Sequence, residues 1–348
     1  MPVTIDERRV PPSWASRNAR ERTAAKNGHR SAAAEPVRIA LVNNMPDSAL
    51  EDTELQFCEL LENAAGGIPV ELHLFSLPDL ARGDRGRQHI AAYYSSAADL
   101  SKSRFDGAII TGTEPLQPDL RDEPYWSSLA GVLDWAAENT ASTVLSCLAA
   151  HAGVLYSDAI ARNRLPDKQF GVFSHQHAAN HELTRGIPES VRIPHSRWNE
   201  VREADLLAGG YTILTKAPKA GVDLFVKKRK NSLFVHFQGH PEYSTLTLLK
   251  EYRRDIRRYL RQERETYPTM PEGYFGSHAR QILNEFRAEA LKDRNVERIA
   301  DFPEAAIVDS LEHSWKSSAA GIYRNWLNYL LRHKPSAVRP SEMQAAHD

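Results

Sequence analysis

Cysteine is scarce: Cys58 and Cys147 are the only two in 348 residues, and they form no CxxC pair. That excludes a disulfide framework and a cysteine-rich zinc module, and it fits a reducing compartment. Long apolar runs are missing as well. No stretch approaches the ~20 residues needed to cross a bilayer, and residues 1–35 lack the apolar centre of a secretory signal. The expectation is a cytoplasmic protein. Neither sign of charge is in excess, since 44 Lys and Arg face 45 Asp and Glu for a formal net charge of -1. No global field draws the chain to nucleic acid or to an anionic membrane, and neither is expected as a partner. The one dense basic run, Lys227, Lys228, Arg229 and Lys230, precedes an apolar stretch at 233–237 and reads as a solvated hairpin turn or strand end. No His, Cys, Asp or Glu cluster has ligand spacing, so no metal is expected.

What is present is a strand-and-helix alternation. Apolar, β-branched runs at 37–42, 70–75, 105–110 and 143–146 are separated by stretches with helical spacing, one over 47–64 and one around Trp135. Such alternation predicts a doubly wound, mostly parallel sheet with helices on both faces. Loops leaving the C-terminal strand ends of such a sheet converge on one crevice, and Asn43, Thr111 and Cys147 each sit at such an end. Shorter strands are expected at 171–174, 191–193, 211–215, 224–226 and 233–237, with helices at 246–259, 279–291 and 315–331. The organisation is read as a flexible arm (1–35), a catalytic α/β domain (36–265), a mostly helical extension packed on it (266–334) and a loose tail (335–348).

Two segments carry chemistry. Cys147 follows a buried-type strand and precedes a plausible helix, a position that favours thiolate at the positive end of a helix dipole. The first helical N–H groups, that of Leu148 first, can stabilise an oxyanion beside the sulfur. A thiol nucleophile needs a base, and His240 is well placed: it follows an apolar strand and is set between Gly239 and Pro241-Glu242. Cys58 falls in a helical apolar pattern and reads as core, while His175, His177, His181 and His236 read as structural or exposed.

Together these two segments resemble the nucleophile and base of class I glutamine amidotransferase-like proteins, a flavodoxin-like α/β fold. The similarity becomes more specific with Thr111-Gly112, the run from Cys147 to Ala152, Lys168 to Val172, Pro194 to Trp198, Gly239 to Tyr243 and Arg254-Asp255. These lie in the order and near the spacing of the homoserine O-acyltransferase family. The tail segments 313–317 and 325–329 resemble that family's C-terminal helix, interrupted by an insertion around 273–310.

The resemblance implies an acyltransferase of methionine biosynthesis. It would move a succinyl or acetyl group from succinyl-CoA or acetyl-CoA to the hydroxyl of L-homoserine, through a thioester. Cys147 would be the nucleophile, His240 the base and Glu242 its orienting carboxylate. Lys168, Ser196 and Arg254 fall on positions that hold substrate. Leu148, with the loop bearing Thr113 and Leu116, would form the oxyanion and acyl pocket. Acyl-CoA would be a co-substrate, with no permanently bound cofactor, and the protein a homodimer. The match departs at Leu148, where Trp is usual, at His151, where Gln is common, and at Leu116, which is neither the Glu nor the Gly tied to donor choice. A shift of one or two residues brings Gln117 or Glu114 there instead, so the donor stays open, as does homoserine against serine. A glutamine amidotransferase or γ-glutamyl hydrolase, or a non-enzymatic protein on the same fold, are the alternatives.

Overall fold

The computed structural model describes residues 3–5, 10–12, 14 and 35–334. Its first half alternates strand and helix: β1 (Val3–Ile5), β2 (Val37–Val42), α1 (Leu50–Ala65), β3 (Val70–Phe75), β4 (Gly107–Thr111), α2 (Trp126–Asn139), β5 (Ser142–Ser146) and α3 (Leu148–Asp158). Then follow β6 (Asn163–His177), β7 (Ser190–Glu200), β8 (Thr212–Ile213), β9 (Thr215–Ala217), β10 (Gly221–Val222), β11 (Leu224–Arg229) and β12 (Ser232–Phe237). Three longer helices close the chain: α4 (Thr247–Leu260), α5 (Ser277–Lys292) and α6 (Trp315–Arg332).

The main sheet has the order β1-β3-β2-β4-β5-β12-β11-β8, parallel from β1 to β12 and antiparallel at β11 and β8. Its central strands β4, β5 and β12 are buried at every position because both faces are covered, the polar Ser142, Thr143, Ser146, Ser232 and His236 included. In β2, Val37, Ile39 and Leu41 join one buried layer with α1 and α6, while Ala40 and Val42 join the opposite layer with α2 and α3. That period of two, apolar on both sides, is the physical content of the doubly wound fold.

A second, four-stranded antiparallel sheet, β10-β9-β6-β7, supplies the rest of the scaffold. Sequence pattern shortened it: the strands expected at 171–174 and 191–193 are parts of β6 and β7, whose alternation is interrupted by the polar Asp167, Lys168 and Gln169 in β6 and by Pro194, His195 and Ser196 in β7. The single strand expected at 211–215 divides at Leu214 between the two sheets as β8 and β9. The basic run at 227–230 forms a strand end more than a turn: Lys227, Lys228 and Arg229 close β11, Lys227 paired with Asp158, and only Lys230, at φ 48°, enters the two-residue turn with Asn231.

Residues 1–35, expected as a flexible arm, contain ordered structure. Val3–Ile5 adds to the sheet edge in register with Val70–Leu72, burying Val3 and Ile5, and Trp14 is buried in the same layer. An unpaired edge strand at β3 gives three residues enough backbone partners to dock. The 335–348 tail and the remainder of the arm lie outside the described residues. In the extension, Ala279 and Leu283 of α5 share one buried apolar cluster with Leu248, Tyr252 and Ile256 of α4. Gly171 is held at φ +145°, and a Cβ there would lie 2.3 Å from the Glu272 carbonyl oxygen. The absent side chain lets Glu272 pair with Phe170 and Val172 through bonds of 2.9 and 2.8 Å, tying the extension to β6. Among the described residues no helix is long and apolar enough to cross a membrane.

Candidate active site

Four loops meet at the C-terminal ends of the parallel strands: 43–46 after β2, 112–118 after β4, Cys147 after β5 and 238–243 after β12. Cys147 occupies the elbow between β5 and α3 with φ 52° and ψ −110°, a left-handed region that costs a non-glycine residue of order 1–3 kcal/mol. Its N–H is held by the Phe237 carbonyl at 2.8 Å, so the ends of β5 and β12 are joined and His240 is brought to the thiol. As the residue before α3, Cys147 lies beneath N–H groups of the first helical turn that have no intrahelical acceptor.

His240 is buried within electrostatic reach of Cys147, and its Nδ1 lies 2.8 Å from Glu242 Oε1. Glu242 Oε1 also accepts from Ser146 Oγ at 3.1 Å, one residue before the thiol. Burial alone would lower the imidazole's proton affinity. The negative charges of Cys147 and Glu242 outweigh it and raise the His240 pKa well above the ordinary histidine value. Tyr243 stacks on the ring with centroids 4.1 Å apart. Thiol, imidazole and carboxylate, from the elbow after β5 and the loop after β12, are thus brought to one place.

Beside this series is a polar cluster centred on a residue that sequence reasoning missed. Glu251, on α4, accepts Tyr243 Oη at 2.7 Å and a short hydrogen bond from Ser196 Oγ, and lies 3.4 Å from Lys168 Nζ. Lys168 also reaches Asp255 Oδ2 at 3.3 Å and sits over the Phe170 ring at 3.9 Å. Arg254, half exposed, pairs with Asp255 Oδ1 at 3.3 Å. Lys168, Ser196 and Arg254 come from three elements far apart in sequence and converge here. The signal for Glu251 was present: Glu251 and Asp255 are the two acidic residues of an otherwise basic helix, spaced i, i+4 on one face.

A small apolar cavity borders the elbow, lined by Thr111, Gly112, Thr113, Leu120, Tyr125, Trp126, Leu148 and Ala149 among others. Thr113 and Leu148 therefore lie where the pocket was expected. Leu116 does not: it is 76% exposed and lines no part of this cavity. Its loop is turned outward by Glu123 Oε1, which takes the N–H groups of Leu116 and Gln117 at 2.6 Å each. Gly112 packs so closely on the elbow that a Cβ would lie 2.5 Å from Leu148 Cβ. His151, one turn into α3, is buried against Gln238 Oε1 at 2.9 Å, and burial pushes its pKa down to about 3.

This geometry defines a class: an α/β protein whose strand-to-helix elbow presents a thiol backed by imidazole and carboxylate, an arrangement capable of nucleophilic acyl transfer. The chain belongs to the homoserine O-succinyltransferase family, whose profile matches residues 13–336. It is similar to the homoserine O-succinyltransferase of Rhodopseudomonas palustris, 45% identical over 298 residues that cover 86% of this chain and 89% of that protein. The enzyme of the same name from Methylobacter tundripaludum is 39% identical over 303 residues, 86% and 85% of the two chains. Among solved structures, a glutamine amido transferase from Methylobacillus flagellatus has a TM-score of 0.47 at 14% identity, covering 85% of this chain and 96% of that one.

Proposed function

We propose that this protein is a cytoplasmic homoserine O-acyltransferase that takes a succinyl group from succinyl-CoA through a thioester on Cys147. The observation that carries the reading is the series Cys147, His240, Glu242 at the elbow, with the Lys168, Ser196, Glu251 and Arg254 cluster beside it. The names of the relatives support succinyl over acetyl as the donor group. A reactive thiol and a CoA thioester fit a reducing compartment.

The chemistry follows from the charges. The Cys147 thiolate attacks the thioester carbonyl of succinyl-CoA, and the developing oxyanion meets the Leu148 N–H and the loop at Gly112–Thr113. Collapse breaks the carbon–sulfur bond to CoA, and the CoA thiolate leaves with the proton of the His240 imidazolium. Cys147 is now a neutral thioester. One of the two negative charges that held His240 protonated has gone, so its proton affinity falls and the imidazole becomes a base. It takes the proton of the homoserine hydroxyl, whose oxygen attacks the thioester. Collapse of that second adduct restores thiolate and imidazolium. In the acceptor site, Glu251 suits the substrate ammonium, while Arg254 and Lys168 suit its carboxylate.

The test is steady-state kinetics with succinyl-CoA and L-homoserine varied together, with the product weighed by mass spectrometry. Parallel double-reciprocal lines and an O-succinyl product support the reading. Intersecting lines, or ammonia release from glutamine without CoA release, contradict it.

A further inference from the structure

Behind the loop that carries His240 lies a second cluster that these steps leave unused. His175, His195 and Asp223 are buried, with nitrogen and oxygen atoms within 4.8 Å of one another. His175 Nε2 and His195 Nε2 are 3.2 Å apart, and His195 Nε2 is 3.6 Å from Asp223 Oδ1. The spacing invites a divalent cation, but the protons are arranged against one. Arg197, 4% exposed, has only donors, and its Nε–H points at His195 Nδ1 at 3.2 Å. His195 Nδ1 is therefore an acceptor. A neutral imidazole bound to a metal through Nε2 carries its proton on Nδ1, where it would face the Arg197 proton. The His195 proton sits on Nε2 instead and is donated to His175 Nε2. His175 Nδ1 in turn donates to the Phe173 carbonyl at 3.1 Å. Burial lowers the proton affinity of both rings, so each is held neutral.

Asp223 connects this layer to the base. Its Oδ1 accepts the Gly239 N–H at 2.8 Å, and the His240 N–H is held at 2.8 Å by the carbonyl of Pro194, the neighbour of His195. A Cβ on Gly239 would lie 2.6 Å from Ile193 Cγ2, 2.7 Å from Pro194 O and 2.8 Å from Asp223 Oδ1, so the loop rests directly on this layer. Asp223 Oδ2 is buried without a hydrogen-bond partner. Burial raises the carboxyl's proton affinity, and His175, the Gly239 N–H and the charges of Arg197 and His240 act in opposition.

We propose that Asp223, backed by the Arg197–His195–His175 chain, is a positioning residue that fixes the backbone carrying His240 and supplements Glu242 with a second buried negative charge. The proposal rests on the acyl-transfer reading above. The other charged or titratable groups around the imidazole are Cys147 from the elbow, Glu242 and Tyr243 from its own loop, and His195 from β7. Tyr323 of α6 faces Glu242, and Glu251 of α4 holds Tyr243.

Asp223→Asn keeps the shape and an oxygen for the Gly239 N–H but removes the charge, whereas Asp223→Ala removes both. Alkylation of Cys147 by iodoacetamide, followed against pH, reports His240 deprotonation as a high-pH step in rate and needs no acyl-CoA. It thereby separates this inference from the substrate reading: a wild-type protein inert to acyl-CoA ends that reading and leaves the step to be read. Asp223→Asn, checked for an unchanged Tm, is expected to move the step down by about one pH unit. With substrates, KM is expected to stay within about twofold while kcat of Asp223→Ala falls about 100-fold, with Asp223→Asn recovering most of the loss. An unmoved step in Asp223→Asn overturns the proposal, as does a rise in KM at unaltered kcat. Stoichiometric zinc in the purified protein, measured by elemental analysis, overturns it too.

Discussion

Replacing Glu242 by Gln removes one charge and almost no volume. The amide oxygen can still accept the Nδ1–H of His240, now at 2.8 Å from Oε1, and the Ser146 hydroxyl can keep its bond to the same atom, now 3.1 Å. The variant therefore tests charge with geometry held. A carboxylate about 4 Å from an imidazolium, at an effective permittivity of about 20, contributes about 4 kcal/mol. If the imidazolium must be present when CoA departs, that loss corresponds to about 1,000-fold in the rate of thioester formation. Quenched reactions with succinyl-CoA, weighed intact, measure that rate without interference from the second transfer. The sign with pH is fixed as well. His240 has a raised pKa, so its protonated form persists above the ordinary histidine range and is lost as pH rises through the raised value. Removing Glu242 lowers that value, so the alkaline limb of kcat/KM for succinyl-CoA moves to lower pH. A loss below about tenfold with an unmoved limb would refute the electrostatic argument.

Three further outcomes follow from particular contacts. Gly112→Ala places a Cβ 2.5 Å from Leu148 Cβ and 3.0 Å from Leu148 N, so kcat should fall roughly 100-fold or more as the oxyanion donor is displaced, with homoserine KM little changed; full activity would remove Leu148 from that role. Glu251→Gln leaves Lys168, Ser196 and Tyr243 without their shared carboxylate, and the homoserine KM should rise at least about tenfold while thioester formation is unaffected. An unchanged KM would place the acceptor elsewhere. Gly171→Ala sets a Cβ 2.3 Å from the Glu272 carbonyl at a φ of +145°, and thermal unfolding should shift down by about 5 °C or more, whereas an unchanged Tm would mean the extension is not tied there.

The parallel core was legible because its signal is local. Each of β2, β4, β5 and β12 is short and buried on both faces around a β-branched or aromatic centre, and each leads into a loop at the crevice. Cys147 and His240 were legible for the same reason, since Cys147 directly follows such a strand and His240 lies three residues past the end of another. What failed was non-local. Val3–Ile5 is three residues long and becomes a strand only because β3 offers a free edge. β6 carries polar residues where Lys168 joins the cluster around Glu251, so its alternation breaks there. Asp223 has no pattern around it, and its role exists only once β10, β11 and the Gly239 turn are packed together. Leu116 was assigned by aligned position alone, whereas its loop's path is set by Glu123, seven residues away.

The central claim is that Cys147 carries the acyl group. Purified protein mixed with succinyl-CoA in the absence of acceptor, then weighed intact, tests it most directly, with Cys147→Ala alongside. The account predicts one succinyl adduct, absent from Cys147→Ala and discharged on adding L-homoserine. Release of CoA and formation of the ester without any adduct on Cys147 would contradict it and point to direct transfer between the two substrates.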